Sequence, residues 1–437
     1  MKGTLLMNLN TTPWANRIHI SIFGKRNAGK SNVINAITNQ DLAIVSEQKG
    51  TTTDPVQKAM ELLPIGPVVI IDTPGLDDQG TLGTKRVDKA YQVLNKTDIA
   101  ILVVDGTSGI TKHDLDIMEK IKEKNIPFVV AINKSDLLNI DIINDNIMRP
   151  DDINTGGAYL ADVHELTRDN DNAKSTIYIS AKTNHNINEL KELIAKKAKT
   201  LSNEKVLVTD LINPGDFVVL VTPIDESAPK GRLILPQQQV IREIIEYGGA
   251  AIVVKETELA VTLTGLSKTP ALIVTDSQVF KEVADIVPEK IPLTSFSILF
   301  ARYKGNLKQL VDGTRALDNL NDNDLILVSE GCTHHRQCND IGTVLLPNLI
   351  TTYVRSKNLY TDSKKKLQFH FTSGTEFPKD VSKYKLIVHC GGCMLNQKEM
   401  GHRMLVAKEN NIPMTNYGTA IAHIKGILDR SLTHLPH

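Results

Sequence analysis

Several things that define other protein classes are scarce in this sequence of 437 residues. Aromatic residues make up 4% of it, with a single tryptophan, and 50 Lys and Arg balance 50 Asp and Glu to a net charge of zero. The chain therefore has neither a global positive field nor a basic, aromatic-rich face, the usual means of recruiting RNA or an anionic membrane. Long hydrophobic runs are missing too. The longest, such as Ile99 to Val104, have strand length, far below the ~20 residues of a membrane-spanning helix. Near the start, Leu5, Leu6 and Met7 are too short for an export-signal core, and Asn8, Asn10, Thr11 and Thr12 follow at once. A cytoplasmic protein without a membrane or nucleic-acid partner is expected. There are 4 cysteines, Cys332, Cys338, Cys390 and Cys393, all in the last quarter of the chain. So few exclude a disulfide scaffold. Clustered in a reducing compartment, they point to metal or redox chemistry.

What is present is ordinary globular material. The hydrophobic fraction is 41%, and at about 150 residues per domain the length suggests roughly three domains. Ile18 to Phe23, Val68 to Ile71, Ile99 to Val104, Phe128 to Ile132 and Ile177 to Ser180 are apolar runs of strand length with helical patterns between them. Parallel strands covered by helices on both faces look like this. The fold class is α/β with a doubly wound sheet. Asn139 to Ser175, polar and rich in Asp and Asn, breaks the rhythm as an insertion. The pattern restarts after Leu201, with strands expected at Phe217 to Val221, Ala251 to Val254 and Ala271 to Thr275, and a helix opened by Pro236. A further unit is expected to hold strands at Leu325 to Ser329, Leu367 to Phe371, Lys385 to Val388 and Ile412 to Thr415. The expected domains are 1–204, 205–288 and 289–437.

The first strand runs into Gly24-Lys-Arg-Asn-Ala-Gly29-Lys30-Ser31, the G-x-x-x-x-G-K-S phosphate loop, at the opening of a helix. Its glycines let backbone N–H groups point at phosphate, and the helix N-terminus adds a favourable dipole. Lys30 reaches the β- and γ-phosphates and Ser31 ligates Mg²⁺. Asp72-Thr-Pro-Gly75 follows a strand, so that Asp72 holds Mg²⁺ through water and Gly75 offers an N–H to the γ-phosphate. Thr52, in the loop Gly50 to Asp54, completes the Mg²⁺ shell when the γ-phosphate is present. Lys30, Thr52, Asp72 and Gly75 form the expected catalytic set. Asn133-Lys134-Ser135-Asp136 also follows a strand. The carboxylate of Asp136 can accept both N1–H and the 2-amino group of guanine, which adenine lacks. Ser180-Ala181-Lys182 can give a backbone N–H to guanine O6.

These five elements, in this order and strand context, resemble a translation-factor-type GTPase of the Era/TrmE branch. Two positions refine the resemblance. Leu76 stands where Ras-like enzymes carry the glutamine that orients water. Asn27 matches an asparagine that coordinates K⁺ in potassium-activated relatives, where the ion replaces an arginine finger electrostatically.

Cys332-Thr-His334 follows one expected strand and Cys390-Gly-Gly-Cys393 another. If those strands are parallel, both loops lie at the carboxyl edge of one sheet, where ligand sites gather. Three Cys and a His suit either a Cys₃His zinc site or a [4Fe–4S] cluster, and spacing alone does not choose. The pair Gly391-Gly392 allows a tight turn and offers N–H groups to cluster sulfurs. Cys338 is assigned to packing, and His335 and His389 are set aside as ligands.

A GTPase of this type, a small middle domain and a C-terminal Cys-x-His…Cys-x-x-Cys together resemble the HydF family, GTPases of [FeFe]-hydrogenase maturation. Glu330 to His335, Asp340-Ile-Gly342, Cys390 to Asn396 and Asn416-Tyr-Gly418 support the resemblance over essentially the whole chain. It implies GTP/GDP, Mg²⁺ and K⁺ in the first domain and a [4Fe–4S] cluster in the last, with a dimerisation domain between. Cys332, Cys390 and Cys393 become ligands, with His334, Glu330 or an exogenous group as the fourth. It further implies a scaffold that takes a di-iron subcluster precursor from the radical-SAM maturases HydE and HydG and delivers it to apo [FeFe]-hydrogenase. The alternative is a TrmE/Era-like GTPase of RNA modification or ribosome assembly with a structural zinc.

Overall fold

The computed structural model describes residues 12–39, 55–76, 80–138, 175–201, 205–224, 233–331, 340–357, 367–374 and 376–436, with 80–86 described by their backbone alone. Thr52, Cys332, His334, His335, Cys338 and nearly all of the Asn139 to Ser175 insertion lie outside these residues. The chain divides into two compact units, Met1–Asn203 and Glu204–His437. Among the described residues no helix is long and apolar enough to cross a membrane.

The first unit is built on a six-stranded sheet. Its strands are β1 (Ile18–Phe23), β2 (Val56–Leu62), β3 (Gly66–Asp72), β4 (Ile99–Asp105), β5 (Phe128–Asn133) and β6 (Thr176–Tyr178), in the order β2-β3-β1-β4-β5-β6. β1, β3, β4, β5 and β6 are parallel, and their apolar side chains fill a core on each face of the sheet. β2, which the sequence reading lacks, runs antiparallel to β3 at the edge. Its sequence VQKAMEL exposes Gln57, Lys58 and Glu61, so it shows no continuous apolar run.

The second unit holds two four-stranded parallel sheets. One joins β7 (Phe217–Val221), β8 (Ala250–Val254), β9 (Leu272–Thr275) and β10 (Leu293–Ser295) in the order β10-β9-β7-β8. The other joins β11 (Leu325–Ser329), β12 (Gln368–Thr372), β13 (Leu386–His389) and β14 (Met414–Asn416) in the order β12-β11-β13-β14. The three-residue β10 carries the first of these sheets beyond residue 288, where the sequence reading ends its middle domain. Ser295 caps the helix Phe296–Lys304 that leaves β10, its Oγ accepting from the N–H of Ile298 at 3.2 Å. That helix buries Phe296, Ile298, Leu299 and Phe300 in the core of the β7–β10 sheet.

The last turn of this helix also anchors the start of the unit. Arg302 donates to both carboxylate oxygens of Asp210 at 2.7 and 2.8 Å and to the carbonyl of Leu207 at 2.6 Å. Glu243 meets the same segment, accepting from the N–H groups of Leu207, Val208 and Thr209 at 2.9, 2.8 and 3.1 Å. Extended chain cannot satisfy its own backbone, so these two side chains supply partners that no strand provides.

Candidate functional site

The phosphate loop leaves the carboxyl end of β1. Gly24 is at φ +143°, and a Cβ there would lie 2.3 Å from the carbonyl oxygen of Val103 on β4. Gly29 is at φ +90°, and its Cβ would lie 2.3 Å from Nδ2 of Asn133. Both the conformation and the close approach require glycine. Lys30 opens the helix Lys30–Thr38 and folds its ammonium back onto the carbonyls of Gly24 at 3.0 Å and Lys25 at 2.9 Å, spanning the loop where phosphate would lie.

Asp72 ends β3 opposite Ser31, whose hydroxyl donates to Oδ2 at 3.2 Å. Burial raises the Asp72 carboxyl above its usual range, against the pull of Lys30 and Ser31. Its Oδ1 is buried with no partner among the described residues. An orphaned carboxylate oxygen beside a serine hydroxyl is a donor set short of a cation, and oxygen ligands of this kind suit Mg²⁺. Gly75 and Asn27 face the same cavity, of about 610 Å³, and Asn27 adopts φ +64°. Leu76 is 2% exposed and packed in the core with Ile71 and Val104.

The residues expected to read guanine follow β5. Asn133 ties the site together, donating from Nδ2 to the carbonyl of Ala28 at 3.0 Å and accepting at Oδ1 from the N–H of Ala181 at 3.1 Å. Lys134 pairs with Asp105 at 2.7 Å. Burial pushes the Asp105 carboxyl up, but Lys134 and Thr107 outweigh it and hold it below its usual range. Ser180 donates to Oδ1 of Asp136 at 2.7 Å, which fixes the carboxylate at the cavity wall. Lys182 lines the cavity beside Ala181. The structure thus brings Asn27, Lys30, Ser31, Asp72, Gly75, Asn133, Asp136 and Ala181 around one cavity.

The cysteine loops lie on the second unit. β11 and β13 are parallel neighbours with Ser329 beside His389, so the residues that follow them, Glu330-Gly331 and Cys390-Gly391, leave one carboxyl edge. Cys390 Sγ accepts from the N–H of Gly331 at 3.1 Å and of Gly392 at 3.3 Å. Gly392, at φ +65°, makes the turn that aims its N–H there. Of the pair Gly391-Gly392, it is Gly392 that makes this contact. Burial pushes the Cys390 thiol up to about 11 and raises Cys393, opposed at Cys393 by the Lys304 ammonium. Two thiols with backbone N–H groups aimed at one sulfur fit a metal or iron–sulfur centre, which would discharge them as thiolates.

His389 is committed elsewhere. Arg403 can only donate, and its Nη1 lies 3.0 Å from His389 Nε2. Nε2 therefore accepts, and Nδ1–H donates to the carbonyl of Cys390 at 2.7 Å. Burial, with Arg403 beside it, holds the imidazole neutral, its pKa pulled down to about 3. Neither nitrogen is left for a metal. Glu330 is 4% exposed and accepts from the Tyr417 hydroxyl at 3.3 Å. A Cβ on Gly342 would strike both groups, at 2.3 Å from the Tyr417 hydroxyl and 2.4 Å from the Glu330 carboxylate. Sequence reasoning missed Arg403 and Lys304, which reach Ser329 and the Gly392 to Leu395 turn across long stretches of chain.

Residues 207–305 match the model of the hydrogen maturase F dimerization domain, and residues 308–434 match that of its tetramerization domain. The chain belongs to the hydrogen maturase F family. Residues 19–134 match the model of a 50S ribosome-binding GTPase, so the first unit is a GTPase domain with the P-loop fold. GTPase Der of Kosmotoga olearia is 37% identical over 127 residues, 28% of this chain and 28% of that one. The tRNA modification GTPase MnmE of Desulforamulus reducens is 38% identical over 117 residues, 26% of this chain and 25% of that one. The chain spans about a quarter of the length of these curated relatives. Among solved structures, Era of Aquifex aeolicus bound to GDP and AlF₄⁻ is similar over 54% of this chain and 93% of that one, at 22% identity and a TM-score of 0.34.

Proposed function

We propose that this hydrogen maturase F relative hydrolyses GTP in its first unit. In its second it serves as an iron–sulfur scaffold, assembling the di-iron subcluster and delivering it to apo [FeFe]-hydrogenase. One observation carries the reading: a phosphate-loop cavity lined by Asn133 and Asp136 and a half-buried Cys-x-x-Cys on the same chain, the second inside a hydrogen maturase F domain. Cys332, Cys390 and Cys393 would hold a [4Fe–4S] cluster, with His334, Glu330 or an exogenous group as the fourth ligand. Such a cluster supplies an iron with an exchangeable position, which a scaffold that must bind and release cargo needs. HydE and HydG would supply the precursor.

In the first unit Ser31 and Asp72 would hold Mg²⁺, joined by Thr52, and Lys30 would neutralise the β- and γ-phosphates. The burial of Leu76 removes the usual water-orienting side chain. A K⁺ held by Asn27 would compensate electrostatically, which makes hydrolysis dependent on K⁺ over Na⁺.

The test is anaerobic iron and sulfide analysis with EPR of the reduced protein, wild type beside Cys390→Ser. About four Fe and four sulfide per chain are expected from a [4Fe–4S] cluster, with a signal lost or altered in the variant. Maturation of apo-hydrogenase in the presence of HydE and HydG completes it. One zinc and no sulfide would instead favour the reading that the matches to ribosome-binding and tRNA-modifying GTPases suggest for the first unit.

A further inference from the structure

Lys304 ends the helix Phe296–Lys304 and is 2% exposed. Its ammonium donates to three carbonyls of one turn: Gly392 at 3.0 Å, Cys393 at 2.9 Å and Leu395 at 2.5 Å. All three of its protons are used. The contact crosses the boundary between the two family domains, since Lys304 lies in the dimerization segment and its partners in the tetramerization segment. Among the described residues no carboxylate stands within ion-pair distance of it, whereas Arg302 and Arg403 each have one. Its remaining neighbour is the Phe300 ring, 5.7 Å away.

A buried charge is costly unless an opposite charge meets it. Three carbonyl dipoles orient the ammonium but leave its charge uncancelled. The acidic groups that do face this place are the thiols of Cys390 and Cys393, whose turn it holds. The chain has placed a cation where it is unfavourable in isolation and favourable beneath an anionic, thiolate-held group.

We propose that Lys304 is a positioning residue for the group held by Cys390 and Cys393: it fixes the Cys-x-x-Cys turn through its carbonyls and sets a positive charge beneath that group. The inference rests on the reading of this loop as an iron–sulfur site. A neighbouring positive charge favours the reduced, more negative state of a cluster, so Lys304 raises its reduction potential. It also makes the turn's geometry depend on a side chain of the other family domain.

The experiment compares full-length wild type, Lys304→Gln and Lys304→Arg, each reconstituted anaerobically, with folding checked by thermal melting. Gln keeps hydrogen-bond donors but removes the charge, and Arg keeps the charge. Iron and sulfide content, EPR of the reduced state and redox titration followed by EPR are the readouts. With Lys304→Gln the cluster should form, and its reduced-to-oxidised ratio at a fixed potential should fall about tenfold, a 59 mV shift for a one-electron couple. Lys304→Arg should recover most of that shift. A cluster with unchanged potential and EPR signal in folded Lys304→Gln overturns the role of Lys304 and leaves the scaffold reading standing. An equal shift in both variants assigns the effect to lost packing and also overturns it. A wild-type protein that takes up no iron and sulfide overturns both readings together.

Discussion

Asp136 is the residue on which we propose that base choice depends. Its carboxylate accepts only, Ser180 fixes one oxygen at 2.7 Å, and the cavity leaves it facing the base. Asp136→Asn places an amide where guanine presents donors, so two charge-assisted bonds are lost. Mg²⁺–GDP affinity should fall about 100-fold, close to 3 kcal/mol, with the fold intact because the side chain is exposed. Titration calorimetry measures this, and an unchanged affinity would remove Asp136 from the site. At this scale the GTP residues were legible because each is set by spacing within a few positions of a strand end. Lys304, Arg403 and Glu243 were not. The partners of Lys304 and Glu243 lie 88 to 91 and 34 to 36 residues away, and beyond the adjacent turn Arg403 reaches partners 14 to 74 residues away, and nothing in local periodicity marks a lysine as buried. The engagement of both His389 ring nitrogens, by Arg403 and by the carbonyl of Cys390, likewise needed the fold.

Among the elements, β8 stands out as an uncovered edge. Among the described residues it pairs with β7 on one side only, and Val253 on it is 42% exposed. Ile245 and Tyr247, just before the strand, and Val261, after it, are exposed as well. An edge strand with free N–H and C=O groups and apolar neighbours is a template for pairing with another chain. In a segment that matches a dimerization domain, the partner we propose is a second copy. Val253→Lys, the substitution that blunts natural edges, should weaken the dimer at least ~10-fold, as read by light scattering across a dilution series. An unchanged mass would place the contact elsewhere. Continuous apolar strands such as β4, β5 and β7 were readable to within a residue or two. The short β10 and the half-exposed β2 were not, since three residues, or an edge with one wet face, carry too little pattern to register.

The whole molecule is two compact units joined near residue 203. Nucleotide binds one of them, so scanning calorimetry with Mg²⁺–GDP at 100 times its Kd should stabilise that unit by about 2.7 kcal/mol. For a unit of this size the shift is about 5–10 °C, with the other transition unmoved. A single transition that rises as one would show instead that the units melt together. The clamp at residues 207–210 bears on this directly. Glu243 and Arg302 seize the chain almost as soon as the second unit begins. A pull on that segment is not absorbed by slack. It enters the helix Phe296–Lys304 at Arg302, two residues before the lysine that grips the Cys-x-x-Cys turn. In mechanical terms the helix end is a pulley fixed between two ropes, and tension on one is felt by the other.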